Sequence, residues 1–309
     1  MDNAEIIDWL LAGDVCVQFQ TRRDLLGDAQ PKLQLHISEE GWGKAIMDAH
    51  NGGIGWGQSY YQPKWASTHY TLLDLCNIEI HPDQDIIRCD ITHALHSVKS
   101  KTDGGILPIG DVGKSDVCVN GMFLNFACYF GANGDELKSV VDFILDQRMV
   151  DGGYNCRSNR AKCQHSSLHS TCSVLEGFRR YLHSGYTYRA DEIESSMRAA
   201  EEFMLVHQLF ISDRTGEIID KRFLNLSYPY RWYYSVLRAL DYFQAANRPW
   251  DARLQPGLDV IRKKRKKDGR WNVQAKHPGQ THINMERAGK PSRWITLFAL
   301  RVFKHFGVE

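Results

Sequence analysis

The chain has 309 residues, of which 43% are hydrophobic and 24% are charged, and its formal net charge is +1. These shares are typical of a soluble globular protein, and no apolar run reaches the roughly 20 residues that a membrane-spanning helix needs. The near-zero net charge argues against general electrostatic capture of nucleic acids or membrane surfaces.

The N-terminus and the cysteines both bear on the cellular compartment. The chain begins with Met1–Glu5, a stretch without the basic and apolar parts of a signal peptide. The eight cysteines are scattered and lie mostly in helix-like segments, which is typical of reduced thiols rather than of a disulfide framework. The sequence therefore predicts a cytoplasmic protein.

Apolar residues recur at helical spacing along almost the whole chain, and no stretch alternates like a strand. We predict helices in pairs, in which the first member carries charge on one side and the second is apolar nearly all round. The first is typical of an outer, solvated helix and the second of a buried inner helix. In chain order the pairs are 3–11 with 14–26, 39–50 with 65–79, 83–100 with 115–130, 135–148 with 166–183, 191–209 with 230–246, and 250–266 with 292–306.

A glycine-rich phrase recurs between the members of these pairs, about every fifty residues, as expected of a repeated helical unit. Its glycine is expected to end the outer helix by adopting a positive φ. The copies are Gly52-Gly53-Ile54-Gly55-Trp56, Asp103-Gly104-Gly105-Ile106, Asp151-Gly152-Gly153-Tyr154, Asp213-Arg214-Thr215-Gly216 and Asp268-Gly269-Arg270-Trp271.

A second phrase combines a proline with a nearby tryptophan, at Pro63, Pro229 and Pro291. Since proline suits the first turn of a helix, it predicts the starts of three inner helices. Six hairpins of alternating outer and inner helices predict an all-α (α/α)6 toroid. The toroid forms a single domain over 1–309, with an N-terminal helical pair in 1–30 and the repeats in 38–309.

The inner-helix starts are expected to converge on one mouth of the barrel. Helix N-termini carry partial positive charge and free N–H groups, so this mouth suits an anion such as a phosphate or diphosphate. The alternative is that serines, among them Ser67, Ser166 and Ser292, only cap those N–H groups.

The segment Gln147–Tyr154 resembles the Gln-x-x-x-Asp-Gly-Gly-aromatic repeat of the terpenoid cyclases and protein prenyltransferase β subunits, whose shared fold is the α/α toroid. Lys267–Trp271 is similar to the end of the same motif, and the resemblance extends from Trp42 to Phe306. The Asp-x-Asp-Asp acid of the squalene-type (class II) cyclases is not matched by Asp83-Gln84-Asp85, and the aspartate-rich Mg²⁺ motifs are absent. A protonation-initiated cyclase is therefore not expected.

The resemblance to the prenyltransferases also implies a Zn²⁺ site. Asp116 and Cys118 match the family's Asp-x-Cys pair, and His169, in Leu168–Cys172, matches its His-Thr-Cys. Because the spacing from Gly153 to His169 is longer than in the family, His165 is a rival ligand. Three protein ligands with an open fourth position are typical of a catalytic zinc, which deprotonates a bound thiol for alkyl transfer. The alternative is a small core thiol, an N-cap and a hydrogen-bonded histidine.

Aromatic and basic residues near the inner-helix starts are the candidates for binding an isoprenoid and its diphosphate. Aromatic faces attract cations, and arginines clamp diphosphates; the alternative is that the rings tie neighbouring repeats together and the arginines pair with acids. The candidates are Trp56, Tyr61, Trp65, Tyr154, Arg157, Tyr228, Arg231, Trp232, Arg293 and Trp294.

Two functions follow from these observations, and neither assigns a catalytic residue. The first is transfer of an isoprenyl group from its diphosphate to a thiol or another nucleophile, beside a central apolar pocket. The second is a non-catalytic toroid that binds a small apolar ligand or a protein partner, for which the resemblance suggests a helical subunit. The ionisable residues His69, Asp74 and Glu176 are predicted to lie on apolar inner helices. A buried residue of this kind could act as a general acid or base, and the alternative is that it is a hydrogen-bonded core group.

Overall fold

The computed structural model describes residues 3–108, 114–157 and 163–308. Within these ranges the predicted all-α class is confirmed, because they contain α-helices, short 3₁₀ and π turns, and no β-strand. The α-helices are α1 (Asn3–Leu11), α2 (Val15–Thr21), α3 (Pro31–Leu35), α4 (Gly41–Met47), α5 (Thr68–Asn77), α6 (Asp85–Ser97), α7 (Val117–Tyr129), α8 (Gly134–Asp146), α9 (Leu168–His183), α10 (Ala190–Val206), α11 (Val236–Ala245), α12 (Gln255–Lys264) and α13 (Arg293–Phe306).

Every predicted helical segment contains a helix, and α3 is the one addition that the periodicity did not predict. A proline at its first position, Pro31, explains where α3 begins. The prediction that Pro63, Pro229 and Pro291 occupy first turns is wrong, since α5, α11 and α13 begin beyond them. These prolines lie in the connections that approach the helices.

Six mostly buried helices, α2, α5, α7, α9, α11 and α13, contact one another in succession, and we call them the inner helices. Each packs against the next from α5 to α13, and α13 packs against α2. The side-chain amide of Gln20, in α2, donates to the carbonyl of Asn77 at the end of α5. The buried apolar side chains of these helices form one continuous core.

The sequence pairs each outer helix with the inner helix that follows it. In the structure, the outer helices α8, α10 and α12 contact the inner helix that precedes them. Short turns join α7 to α8, α9 to α10, and α11 to α12, and the two helices of each couple are in contact. Long connections lead from each of these outer helices to the next inner helix. All five glycine-rich phrases lie in connections that lead from an outer helix to the next inner helix, and loops of this kind commonly carry functional residues.

The glycine-rich phrase has the predicted backbone conformation. The glycine of each copy at Gly52, Gly104, Gly152, Gly216 and Gly269 has a positive φ, between 71° and 91°. This conformation is the one predicted, and other residues adopt it only with strain. The expected role of ending the outer helix is wrong, because the glycines lie five to ten residues beyond the ends of α4, α6, α8, α10 and α12. The repeat is therefore visible in the backbone as well as in the sequence.

In four of the five glycine phrases, the backbone N–H of the last residue donates to a polar side chain of the next inner helix. The backbone N–H of Trp56 donates to Thr68 Oγ1, and that of Tyr154 donates to Thr171 Oγ1. The Trp56 indole also donates to the carbonyl of Ile46. Both rings are fully buried, so these two candidate binding residues tie helices together.

No helix in the described part of the chain is long and apolar enough to cross a membrane.

Candidate functional site

A long segment lies across the N-terminal ends of the inner helices, where the sequence predicts an anion-binding mouth. Residues 274–290, called the strap here, follow the last glycine phrase. The backbone of Gln280 exchanges hydrogen bonds with Lys64 and Trp65, and the Trp65 indole donates to the carbonyl of Pro278. The strap therefore covers part of this end of the inner helices.

Gly279 is expected to be essential for seating the strap. It has a φ of 147°, and a Cβ there would lie 2.5 Å from Nε1 of Trp65. We expect Gly279→Ala to lower the free energy of unfolding by about 1 kcal/mol and to speed tryptic cleavage after Lys276. Gly289→Ala is the control, since Gly289 also has a positive φ but its Cβ would meet no atom within 4 Å. Equal effects of the two substitutions would show that the contact with Trp65 does not matter.

Several predicted binding residues meet beneath the strap. The Lys64 ammonium lies 5.5, 5.7 and 5.9 Å from the ring centroids of Tyr61, Trp65 and Trp232. The Arg231 guanidinium lies 4.9 Å from the Trp65 centroid. Cations over aromatic faces are stabilised by the ring quadrupole. The structure thus brings Tyr61, Trp65, Arg231 and Trp232 together, with two cations of the chain already on their faces.

The remaining candidates lie elsewhere. Tyr228 stacks on Trp294 with centroids 4.9 Å apart, inside the core. Arg293 lies 4.6 Å from the Trp9 centroid and donates to the Trp9 carbonyl, so it secures α1 to α13. Arg157 is exposed, beside residues outside the described ranges.

His169 is held by neighbouring protein groups. Its Nδ1 accepts the backbone N–H of Tyr234 at 2.8 Å, and the rings of Phe223 and Trp232 lie 5.2 and 5.3 Å away. Burial, with the charge of Arg238 adding to it, lowers the pKa of His169 to about 4. The ring is therefore neutral at neutral pH, and with Nδ1 as acceptor its proton is on Nε2. In this form His169 offers no lone pair to a metal.

Asp116 and Cys118 lie at the start of α7, and the Cys118 thiol is in hydrogen-bond contact with Cys156. The backbone carbonyl of the rival ligand, His165, accepts the Asn155 amide. Within residues 3–108, 114–157 and 163–308, no three His, Cys, Asp or Glu side chains are grouped to hold a metal ion. The arrangement does not fit the implied Zn²⁺ site, and we derive no step through a metal. Zinc binding stays a prediction, for which metal analysis of the purified chain is the test.

A separate cavity of about 390 Å³ lies between the inner helices, towards their C-terminal ends, and we call it the charged cavity. All six inner helices contribute side chains to its wall. The charged groups of the lining are Arg23, Asp24, Glu79, Glu176, Arg179, Arg180, Arg238, Asp241 and Arg301. This cavity differs from the predicted central apolar pocket in being lined largely by charged side chains.

Most of these charges are paired. Arg238 forms a two-point pair with Glu176, at 2.8 and 2.6 Å. Arg301 bridges Asp241 and Asp24, the latter at 3.0 Å. Burial raises the pKa of Asp241, and the Arg301 charge opposes that shift. Charge pairs of this kind offset the cost of burying a carboxylate and fix the arginine positions.

Arg23 extends the same network, since it pairs with both Asp24 and Glu79. Burial alone would raise the pKa of Asp24, but the hydrogen bond from Arg23 and the charge of Arg301 hold it below its usual value. All four carboxylates of the lining therefore have an arginine partner.

Arg179 and Arg180 face the same cavity but form no ion pair with a described residue. Nη1 of Arg179 reaches only the carbonyl of Ala245, at 3.4 Å, and its buried Nε has no hydrogen-bond partner among the described residues. Burial and the neighbouring Arg180 charge lower the pKa of Arg179. Arg180 donates to Asn125 Oδ1 at 3.3 Å. Neither arginine forms an ion pair with a described carboxylate, although the charges of Glu176 and Asp241 attract Arg179 from a greater distance.

Of the charged residues in this cavity, the sequence analysis singled out only Glu176, as an ionisable residue on an apolar inner helix. A detectable signal exists: Arg179, Arg238, Asp241 and Arg301 are charged residues within otherwise apolar inner helices. A charge on a buried helix face requires a partner or a solvated cavity. Their mutual contacts depend on how the helices are arranged, which the periodicity does not specify.

A scan of the chain against models of known protein families finds no match, and a search of curated proteins finds no similar chain.

Proposed function

We propose that this chain is an (α/α)6 toroid that binds a small anionic ligand in its charged cavity. The succession of contacts from α5 through α13 to α2, together with the hydrogen bond from Gln20 of α2 to Asn77 of α5, supports a closed ring. Side chains from all six inner helices line the cavity, which supports its place at the centre of that ring. The glycine phrases, with their equivalent backbone conformations, support the repeated unit of the toroid.

The Arg179 guanidinium, which forms no ion pair with a described residue and has an unpartnered Nε, is the observation that carries this proposal. The lining contains five arginines and four carboxylates, and every carboxylate has an arginine partner. Arg179 is half-buried and its Nε is fully buried. A guanidinium that loses hydration without gaining a hydrogen-bond or ion-pair partner is costly. An anion beside Arg179 and Arg180 would offset the positive charge of the two guanidinium groups. It would also accept hydrogen bonds from their N–H groups.

The size and walls of the cavity narrow the ligand class. Its volume of about 390 Å³ lies within the range of small-molecule sites. Tyr228, Tyr230 and Phe298 supply apolar surface beside the charged groups. We therefore infer a ligand of metabolite size with a phosphate, diphosphate or carboxylate group and a small organic part. The isoprenyl diphosphate suggested by the family resemblance belongs to this class.

Thermal denaturation with added anions tests the proposal. Inorganic phosphate and diphosphate are expected to raise Tm relative to chloride at equal ionic strength. A ligand at a hundred times its Kd stabilises the folded state by about 2.7 kcal/mol, which corresponds to a shift of several degrees. The shift is expected to disappear in Arg179→Gln. Arg198→Gln, an exposed arginine of α10, is the matched control and is expected to keep it.

Geranyl diphosphate separates the two ligand types within this experiment. A larger shift than with inorganic diphosphate would mean that the hydrocarbon part is bound too, as the sequence predicts. An equal shift would mean recognition of the anion alone. If no anion stabilises the wild-type protein, or if Arg179→Gln responds like wild type, the anion site is not the charged cavity.

A further inference from the structure

A second, smaller cavity lies beneath the strap, and we call it the strap cavity. Its volume is about 90 Å³, and it is lined by Thr71 and Asp74 of α5, by Arg231, and by His277 and His282 of the strap, among other residues. One buried water needs only about 10–15 Å³ of such volume. The strap cavity therefore has room for a small organic group.

Two ionic side chains of this cavity are almost completely buried. Asp74 is 7% exposed and Arg231 is 5% exposed, and they form a single contact, from Nη2 of Arg231 to Oδ2 of Asp74 at 3.2 Å. Oδ1 of Asp74 and Nε of Arg231 are buried and have no hydrogen-bond partner among the described residues. Buried polar atoms of native proteins are rarely left unpaired. Nε2 of His277, another residue of the lining, also has no hydrogen-bond partner among the described residues. The lining therefore contains three unpartnered polar atoms, of which Oδ1 of Asp74 is an acceptor and Nε of Arg231 is a donor.

Arg231, which carries the unpartnered Nε, has an unusual backbone conformation. Arg231 has a φ of 53°, in the left-handed region that residues other than glycine seldom adopt. Its guanidinium is also held over the ring of Trp65, which the strap contacts through Pro278. Strained residues of this kind persist where the surrounding structure enforces them, and they concentrate at binding sites.

The charges around the cavity favour a neutral guest. Asp74 and Arg231 cancel each other. Burial, with the charge of Arg231 adding to it, lowers the pKa of His277 to about 4 and also lowers the pKa of His282. Both histidines are consequently uncharged at neutral pH. The exposed Lys276 donates to Asn284, and Glu286 accepts from the Ser292 hydroxyl and the Trp294 backbone N–H.

We propose that the strap cavity binds the carboxamide group of a small molecule, with its N–H donating to Oδ1 of Asp74 and its carbonyl oxygen accepting from Nε of Arg231. A primary amide carries a donor nitrogen and an acceptor oxygen on the same carbon and has no net charge, which complements Oδ1 of Asp74 and Nε of Arg231. This site is independent of the charged cavity and of the anion proposed there.

The test uses acetamide as the probe, with acetate and methylammonium as its singly charged counterparts. In saturation-transfer NMR at millimolar probe, the wild-type protein is expected to bind acetamide at least tenfold more tightly than either ion. Asp74→Asn leaves the Arg231 charge unopposed, so the preference is expected to reverse in favour of acetate by a similar factor. Asp259→Asn, which alters an exposed aspartate of α12, is expected to keep the wild-type preference.

The double variant Asp74→Asn with Arg231→Gln covers the case in which a single charge change prevents folding. It keeps the net charge of the cavity at zero but removes the charged acceptor and donor, so acetamide binding is expected to fall at least tenfold in a folded protein. Arg179→Gln is expected to leave acetamide binding unchanged, which separates this site from the charged cavity. No acetamide signal with folded wild-type protein, or a crystal soaked in acetamide that contains only ordered water in the cavity, would overturn the proposal.

Discussion

Arg301→Met is expected to lower the free energy of unfolding by about 3–5 kcal/mol, the loss typical of a buried ion pair from which one partner is removed. Arg301 is shared by Asp241 and Asp24. After the substitution Asp24 keeps Arg23, but Asp241 loses the partner that offsets its burial. Methionine fills a similar volume, so the loss reports the charge rather than a void. Urea denaturation monitored by circular dichroism measures it.

The pH dependence of this loss has a defined sign. Burial already raises the pKa of Asp241, and the Arg301 charge works against that shift. Removing Arg301 therefore raises the pKa of Asp241 further above its unfolded value. A carboxyl of this kind binds its proton more tightly in the folded state, so stability increases as the pH falls through the folded pKa. Arg301→Met is expected to recover stability relative to wild type as the pH is lowered from about 7 to about 5.

Two controls define what the result means. Arg262→Met removes an exposed arginine of α12, whose nearest carboxylate, on Asp259, is 3.4 Å away, and it is expected to change stability by less than about 0.5 kcal/mol. Asp241→Asn combined with Arg301→Met removes both charges and is expected to restore part of the loss. If Arg301→Met is no more harmful than Arg262→Met, the cluster is solvated and the charged cavity is not the buried site proposed above.

The fold is predictable from the sequence to the extent that it rests on local physics. Helical spacing of apolar residues reveals every inner and outer helix, because each helix must bury one face whatever its neighbours are. The glycine of Asp151-Gly152-Gly153 reveals a turn, because a positive φ at Gly152 is needed there irrespective of the packing. The edges are less predictable: Pro229 suggests a helix start, whereas the chain passes through the strained Arg231 before α11 begins at Val236.

The candidate site is predictable only in part, since its contacts join residues far apart in the chain. Arg231 was a candidate for binding a diphosphate and Asp74 an isolated charge on an apolar helix, but their pairing spans 157 residues. The strap has no helical periodicity that would indicate where it lies. The resemblance to the prenyltransferases predicts that His169 lies near Cys118. In the structure, the rings of Phe223 and Trp232 are neighbours of His169. Ring contacts of this kind follow from tertiary packing rather than from spacing.

The backbones of α7 and α9 pack closely against each other at two glycines. A side chain added at either glycine is therefore expected to lower the stability of the protein strongly. A Cβ on Gly177 would lie 2.4 Å from the carbonyl oxygen of Gly121, and a Cβ on Gly121 would lie 2.6 Å from the carbonyl oxygen of Ser173. Real Cβ atoms do not approach backbone oxygens this closely, and backbone atoms cannot move aside as a flexible side chain does. The two helices therefore have to separate if either glycine gains a side chain.

Gly177→Val is accordingly expected to lower the free energy of unfolding by at least about 3 kcal/mol, at the upper end of the range for overpacking. The gain in helix propensity on replacing glycine, at most about 1 kcal/mol, is too small to offset this. Gly177→Ala is expected to show the same sign with a smaller loss, and Ser195→Ala, at an exposed position of α10, provides the control for propensity alone. Because α9 also carries Glu176 and Arg179, the separation of the helices is expected to weaken the anion-dependent rise in Tm as well. A stabilised Gly177→Ala variant would mean that α7 and α9 do not pack backbone against backbone.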